Sequence, residues 1–173
     1  RRQSAPMPDT TPSAPAAPPL MPDTLQWLPA AGRPEQLMVL LHGWGASAAD
    51  MAPLAQALRA TFPQAALLAP QGFDAVDSGL AGRQWFSLQG VTEANRPARV
   101  AAVLPRMKAW VQAAQQASGV GPAATALVGF SQGAILALEC ARVLARIGAL
   151  VEVTLSPMAE RTLALEVGPV GHL

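Results

Sequence analysis

From Leu25 onward the chain alternates short apolar runs with longer segments whose apolar residues recur every three to four positions. Five runs have the length of strands: Leu25–Leu28, Leu37–Leu41, Ala65–Ala69, Ala124–Val128 and Leu150–Leu155. Between them, Asp50 is placed to cap a helix running through Leu58. Val100, Val103, Leu104, Met107, Trp110 and Val111 fall at i, i+3, i+4, i+7 spacing and form one apolar stripe. Pro105 interrupts that stripe and removes the N–H that would bond to the Ala101 carbonyl, which predicts a kink. A further helix is predicted from Gly133 to Ile147, carrying Ile135, Leu136, Leu138, Val143, Leu144 and Ile147. Strand runs alternating with helix patterns are the mark of βαβ units and a mostly parallel sheet, so the fold class is α/β.

Residues 1–22 stand apart. Nine of the 17 prolines lie within residues 1–34, and this Pro/Ala/Ser-rich opening has no periodicity, which predicts a disordered tail ahead of one domain over residues 23–173. The remainder must pack, because 51% of the chain is hydrophobic, only 13% is charged, and mean hydropathy is +0.26.

Charge and composition then exclude several classes of function. Twelve Lys+Arg against eleven Asp+Glu leave a net charge of +1, with no basic face broad enough to follow a nucleic-acid backbone. Cys140 is the one cysteine, so neither an intrachain disulfide nor a cysteine zinc site is expected. With two histidines, His42 and His172, a histidine metal site is not expected either, and no cofactor is called for. No apolar run approaches the ~20 residues of a membrane span. Behind Arg1 and Arg2 come Pro, Ser, Asp and Thr where a signal peptide needs an apolar core, which predicts a cytoplasmic protein. Nothing in the sequence bears on oligomeric state.

Chemistry concentrates in Ala124–Leu136, where an apolar run leads into Gly129-Phe130-Ser131-Gln132-Gly133 and then into a helix pattern. A serine held on a tight strand-to-helix turn, with glycines where side chains would collide with neighbouring backbone, is a nucleophile elbow. Serine at its ordinary pKa is a weak nucleophile, so acyl transfer also needs a base, an acid to orient it, and donors for the oxyanion. The Gln132 backbone N–H, next after the serine, is one such donor. A second is expected from the Leu37–Leu41 strand, which runs into His42-Gly43-Trp44-Gly45 and turns the Trp44 N–H inward. His42 lies inside that loop, where its ring braces the loop by hydrogen bonds rather than acting as base. Arg83-Gln84-Trp85-Phe86 forms a third cluster, in which Trp85 and Phe86 either wall a substrate pocket or anchor a loop to the core.

The three segments Leu41–Gly45, Gly82–Phe86 and Gly129–Gly133 together resemble the phospholipase/carboxylesterase family of α/β-hydrolases, which includes acyl-protein thioesterases. The resemblance covers about Leu25 to Ile147 and is strongest to small bacterial serine carboxylesterases. It implies an α/β-hydrolase-type, mostly parallel sheet with flanking helices. It also implies Ser131 as nucleophile, the Trp44 and Gln132 N–H groups as oxyanion hole, and small-molecule esters or thioesters as substrates.

The family pattern breaks after Ile147. Its order is Ser, then Asp, then His, yet no Asp follows Ser131, and the sole downstream histidine is His172, 41 residues on. That spacing does not match the position of the family's base, although Gly171-His172 superficially resembles the base loop, and Glu152, Glu160 and Glu166 are alternative acids. With Arg1 in place of an initial Met, the pattern predicts a partial or divergent chain lacking the fold's last strands and helix. The alternative to an active hydrolase is therefore a catalytically inactive, truncated hydrolase-like domain.

Overall fold

A computed structural model describes residues 23–144 and the short strand at 150–151. The tail predicted over residues 1–22, the continuation of the last strand to Leu155, the end of the last helix at Ile147, and Glu152, Glu160, Glu166 and His172 lie outside the described residues.

In chain order the elements are β1 (Leu25–Trp27), β2 (Gln36–Leu41), α1 (Ala52–Thr61), β3 (Ala65–Ala69), β4 (Asp74–Ala75), β5 (Arg83–Gln84), α2 (Arg96–Ser118), β6 (Thr125–Gly129), α3 (Gln132–Leu144) and β7 (Leu150–Val151). Five strands form one sheet in the order β1-β3-β2-β6-β7. β2 runs parallel to both β3 and β6, pairing Leu37 with Thr125 through Leu41 with Gly129. β7 continues the parallel set, and β1 closes the opposite edge antiparallel to β3.

The continuous apolar runs of β2 and β3 follow from this topology, since interior parallel strands are covered on both faces. Along β2, Leu37, Val39 and Leu41 enter a core shared with Met107, Trp110 and Val111 of α2 and Leu136 and Ala137 of α3. The alternate residues Met38 and Leu40 face the other layer, against Met51 and Ala55 beside α1. One strand thus nails two helical layers together, each buried side chain contributing about 1.5–3 kcal/mol of transfer free energy.

The start of the first helix differs from the sequence expectation. The first helix is led in by a 3-10 turn at Ala48–Met51 whose N-cap is Ser47, so Asp50 sits at the third position rather than at the cap. The Asp50 carboxylate reaches back to accept from the Ser47 N–H (2.8 Å) and hydroxyl (2.7 Å). That Ser-x-x-Asp spacing supplies the turn with acceptors its backbone lacks. α2 begins at Arg96 and is a single element through Pro105. Both Pro105 and Ala101 are exposed, so the carbonyl deprived of its N–H partner faces water rather than the core.

Candidate active site

β6 ends at Gly129 and α3 begins at Gln132, so two residues turn the chain from strand to helix. Ser131 makes that turn with φ at 51°, a left-handed conformation that costs a side-chain-bearing residue roughly 1–2 kcal/mol. Its surroundings hold it there. The Phe130 N–H donates to the Leu41 carbonyl (2.9 Å), and the Ala134 and Ile135 N–H groups both donate to the Ser131 carbonyl (3.0 and 3.2 Å). The flanking glycines are required by close approach: a Cβ on Gly129 would strike the Gly133 backbone, and one on Gly133 would strike the carbonyls of Leu41 and His42. Strand end, elbow and helix start are pressed together until only hydrogens fit, and Ser131 is left exposed at the apex.

The loop after β2 passes over this apex. A Cβ on Gly43 would lie 3.0 Å from the Phe130 ring and 3.4 Å from the Ser131 Cβ, so the loop carrying Trp44 borders the serine directly. Backbone bonds to the 83–84 strand pin it: Gly45 N–H to the Arg83 carbonyl and Arg83 N–H to the Ala46 carbonyl, both 2.9 Å. Among the described residues these pinning bonds run through Gly45 and Ala46, on the far side of Trp44 from the serine.

His42 is fully buried, with both ring nitrogens engaged. Nε2 accepts from the Gly72 N–H (2.8 Å), which leaves Nδ1 as the protonated nitrogen donating to the Gly43 carbonyl (2.7 Å). Burial holds its pKa below the ordinary histidine value, against the opposing pull of the Gly43 carbonyl. The ring is thus a neutral brace inside the loop, with no lone pair free to receive a proton from Ser131.

Trp85 is fully buried and Phe86 nearly so. The geometry is that of an anchor. The Trp85 ring lies 5.0 Å from the His42 ring and edge-on to Phe73 at 5.3 Å, and its Nε1–H donates to the His42 carbonyl (2.7 Å). Arg83 adds two further ties, from Nε to the Gly72 carbonyl (3.0 Å) and from Nη2 to that of Phe73 (3.1 Å).

The sequence did not disclose the side chain of Gln132. It is buried, accepts from the Trp85 N–H (2.9 Å) and donates to the Phe86 carbonyl (2.7 Å). One amide thereby serves as a strand partner for residues 85–86 and ties them to the elbow. A glutamine next to a nucleophile carries no pattern that reveals such a bridge.

An exposed hydroxyl at the N-terminus of the 13-residue α3 sits where first-turn N–H groups lack intrahelical acceptors and the helix dipole is positive. A negative charge placed beside Ser131 would be stabilised there. Cys140, within α3, is buried, and desolvation pushes its thiol up to about 12. Among the described residues no helix is long and apolar enough to cross a membrane.

Comparison with known proteins agrees with this geometry. The profile of the phospholipase/carboxylesterase family matches residues 28–151. Esterase YpfH of Escherichia coli (strain K12) is 46% identical over 105 residues, which make up 61% of this chain and 45% of that protein. The chain thus spans a little under half the length of the curated relative it matches. Among solved structures, esterase PE8 superposes with a TM-score of 0.66 at 28% identity, covering 77% of this chain and 73% of that one. Acyl-protein thioesterase 2 of Zea mays shares the fold, with a TM-score of 0.53 at 23% identity over 77% of this chain and 58% of its own.

Proposed function

The chain belongs to the phospholipase/carboxylesterase family of α/β-hydrolases, and from that premise we propose that it cleaves carboxylic esters or thioesters of small molecules through an acyl-enzyme on Ser131. The observation that carries the reading is the left-handed Ser131, exposed between β6 and α3 with the Gly43–Trp44 loop against its Cβ. In the proposed reaction the Ser131 Oγ attacks the carbonyl carbon, and the carbonyl oxygen takes up the negative charge. The Trp44 and Gln132 N–H groups receive that oxyanion, an interaction typically worth about 2.7–4 kcal/mol of barrier per donor. Collapse expels the alcohol or thiol, and water then attacks the acyl-serine to release the acid. Gly129 and Gly133 make the elbow sterically attainable, while Gln132 and Trp85 keep it rigid.

We assign the Ser131 proton to a base other than His42, whose nitrogens are both committed. The test is hydrolysis of p-nitrophenyl acetate and butyrate by the chain and by Ser131→Ala, His42→Ala and His172→Ala variants. Turnover that disappears in Ser131→Ala supports the reading, and a parallel loss in His172→Ala identifies the base. Turnover unchanged in Ser131→Ala sinks it.

A further inference from the structure

The Trp44 loop also borders a cleft of about 300 Å³, lined by Trp44, Asp77, Ser78, Leu88 and Gln89. Trp44 and Leu88 each keep more than a third of their surface exposed, so the cleft offers apolar and aromatic surface next to a carboxylate. A buried amide sets that arrangement. Gln84, 2% exposed, accepts from the Trp44 Nε1–H (3.0 Å) and donates through Nε2 to Asp77 Oδ1 (3.1 Å). The Ser87 hydroxyl donates to Asp77 Oδ2 (2.5 Å) and in turn accepts from the Gln89 N–H (3.1 Å). Arg99 donates to the Ser87 carbonyl (2.9 Å), and its charge is felt at Asp77, whose carboxyl is held below the usual carboxylate range chiefly by the Ser87 and Gln84 hydrogen bonds. Indole edge and carboxylate are therefore locked to one buried group, and both residues line the cleft.

We propose that this cleft is a subsite for an alkylammonium group of the substrate. The proposal rests on the assignment of Ser131 as nucleophile and the Trp44 N–H as oxyanion donor. An ammonium ringed by alkyl groups is weakly hydrated, gains from an indole face and from a fixed carboxylate, and leaves neither desolvated without compensation. An anion would meet Asp77 as a like charge, and a neutral hydrocarbon would strip water from it for no return. Because Trp44 supplies both the proposed backbone donor and a ring lining the cleft, an ester of an amino alcohol is the substrate class that would engage both.

The test titrates the 173-residue chain with choline, with its neutral isostere 3,3-dimethyl-1-butanol and with the anion 3,3-dimethylbutanoate. The readout is the Trp44 indole N–H resonance, identified by its loss in Trp44→Phe. Choline is expected to shift that resonance with a Kd at least tenfold below that of the alcohol, and the anion to leave it in place. Asp77→Asn keeps one oxygen to accept from Gln84 and turns an NH2 toward the Ser87 oxygen, so it removes the charge at nearly constant shape and should reduce the advantage of the cation to less than threefold. Leu88→Lys, which leaves the Gln84–Asp77 bonds untouched, should abolish choline binding. Equal affinity for choline and the alcohol, or a preference that survives both substitutions, overturns the subsite. Phosphonylation of Ser131 by a neutral fluorophosphonate is scored separately. Labelling without cation preference defeats the subsite alone, and cation binding without labelling defeats the nucleophile assignment alone.

Discussion

Replacing Gln132 by Met keeps the volume of the side chain and deletes both of its hydrogen bonds. The Trp85 N–H and the Phe86 carbonyl, each buried, then lose their partners at 2.9 and 2.7 Å. Orphaning a buried polar group costs about 1–3 kcal/mol, and removing the amide returns part of its own desolvation, so the net loss is about 2–4 kcal/mol. For a chain of this length that corresponds to a fall in Tm of about 5–15 °C. Urea denaturation followed by tryptophan fluorescence and by far-ultraviolet circular dichroism measures it, with coincident transitions as the check that two states suffice. Gln132→Glu sharpens the test. Its carboxylate still accepts from Trp85 but opposes the Phe86 carbonyl, so the folded state favours the protonated acid, its pKa is raised, and stability relative to the parent recovers as pH falls. A Gln132→Met protein within about 0.5 kcal/mol of the parent would refute the bridge as a structural element.

Gly133→Ala, whose Cβ meets the Leu41 and His42 carbonyls, should cost at least about 3 kcal/mol or prevent folding. Gly119→Ala, at φ of 72° in open space, should cost only about 1–2 kcal/mol in the same denaturation series. His42 has a folded pKa below its unfolded value, so the unfolded chain binds a proton that the folded chain refuses. Stability should therefore fall as pH drops below about 6.5, by up to ~1.4 kcal/mol per unit, and the slope between pH 7 and 5 should flatten in His42→Asn. Cys140, with its thiol pushed up to about 12 by burial, should react with Ellman's reagent at pH 8 only after unfolding.

The layout of the sheet was legible because its cause is local. Apolar runs at residues 37–41 and 65–69 can be nothing but interior strands when helix patterns separate them, and the glycines bracketing Ser131 announce a turn that only hydrogens can fill. What escaped reading depends on contacts between residues far apart in sequence. Gln84 and Gln132 have no local property that distinguishes them from surface glutamines, yet each is buried and spans two segments, 40 residues apart for Gln84 and Trp44. Trp85 stood between two roles because a tryptophan at a loop serves either, and its contacts with His42 and Phe73 come from segments far away in sequence. The short β4–β5 pairing was missed for a related reason, since two-residue strands leave no periodicity to detect.

The most direct test of the account is to incubate the chain with a fluorophosphonate and locate the adduct by intact and tandem mass spectrometry. The expected result is a single phosphonyl group on Ser131, abolished by Ser131→Ala and by urea unfolding. In Ser131→Gly it should also be abolished, while relief of the left-handed backbone raises stability by about 1 kcal/mol. An adduct on another residue, or a folded chain that never acquires one at Ser131, would contradict the assignment of the elbow as the catalytic nucleophile.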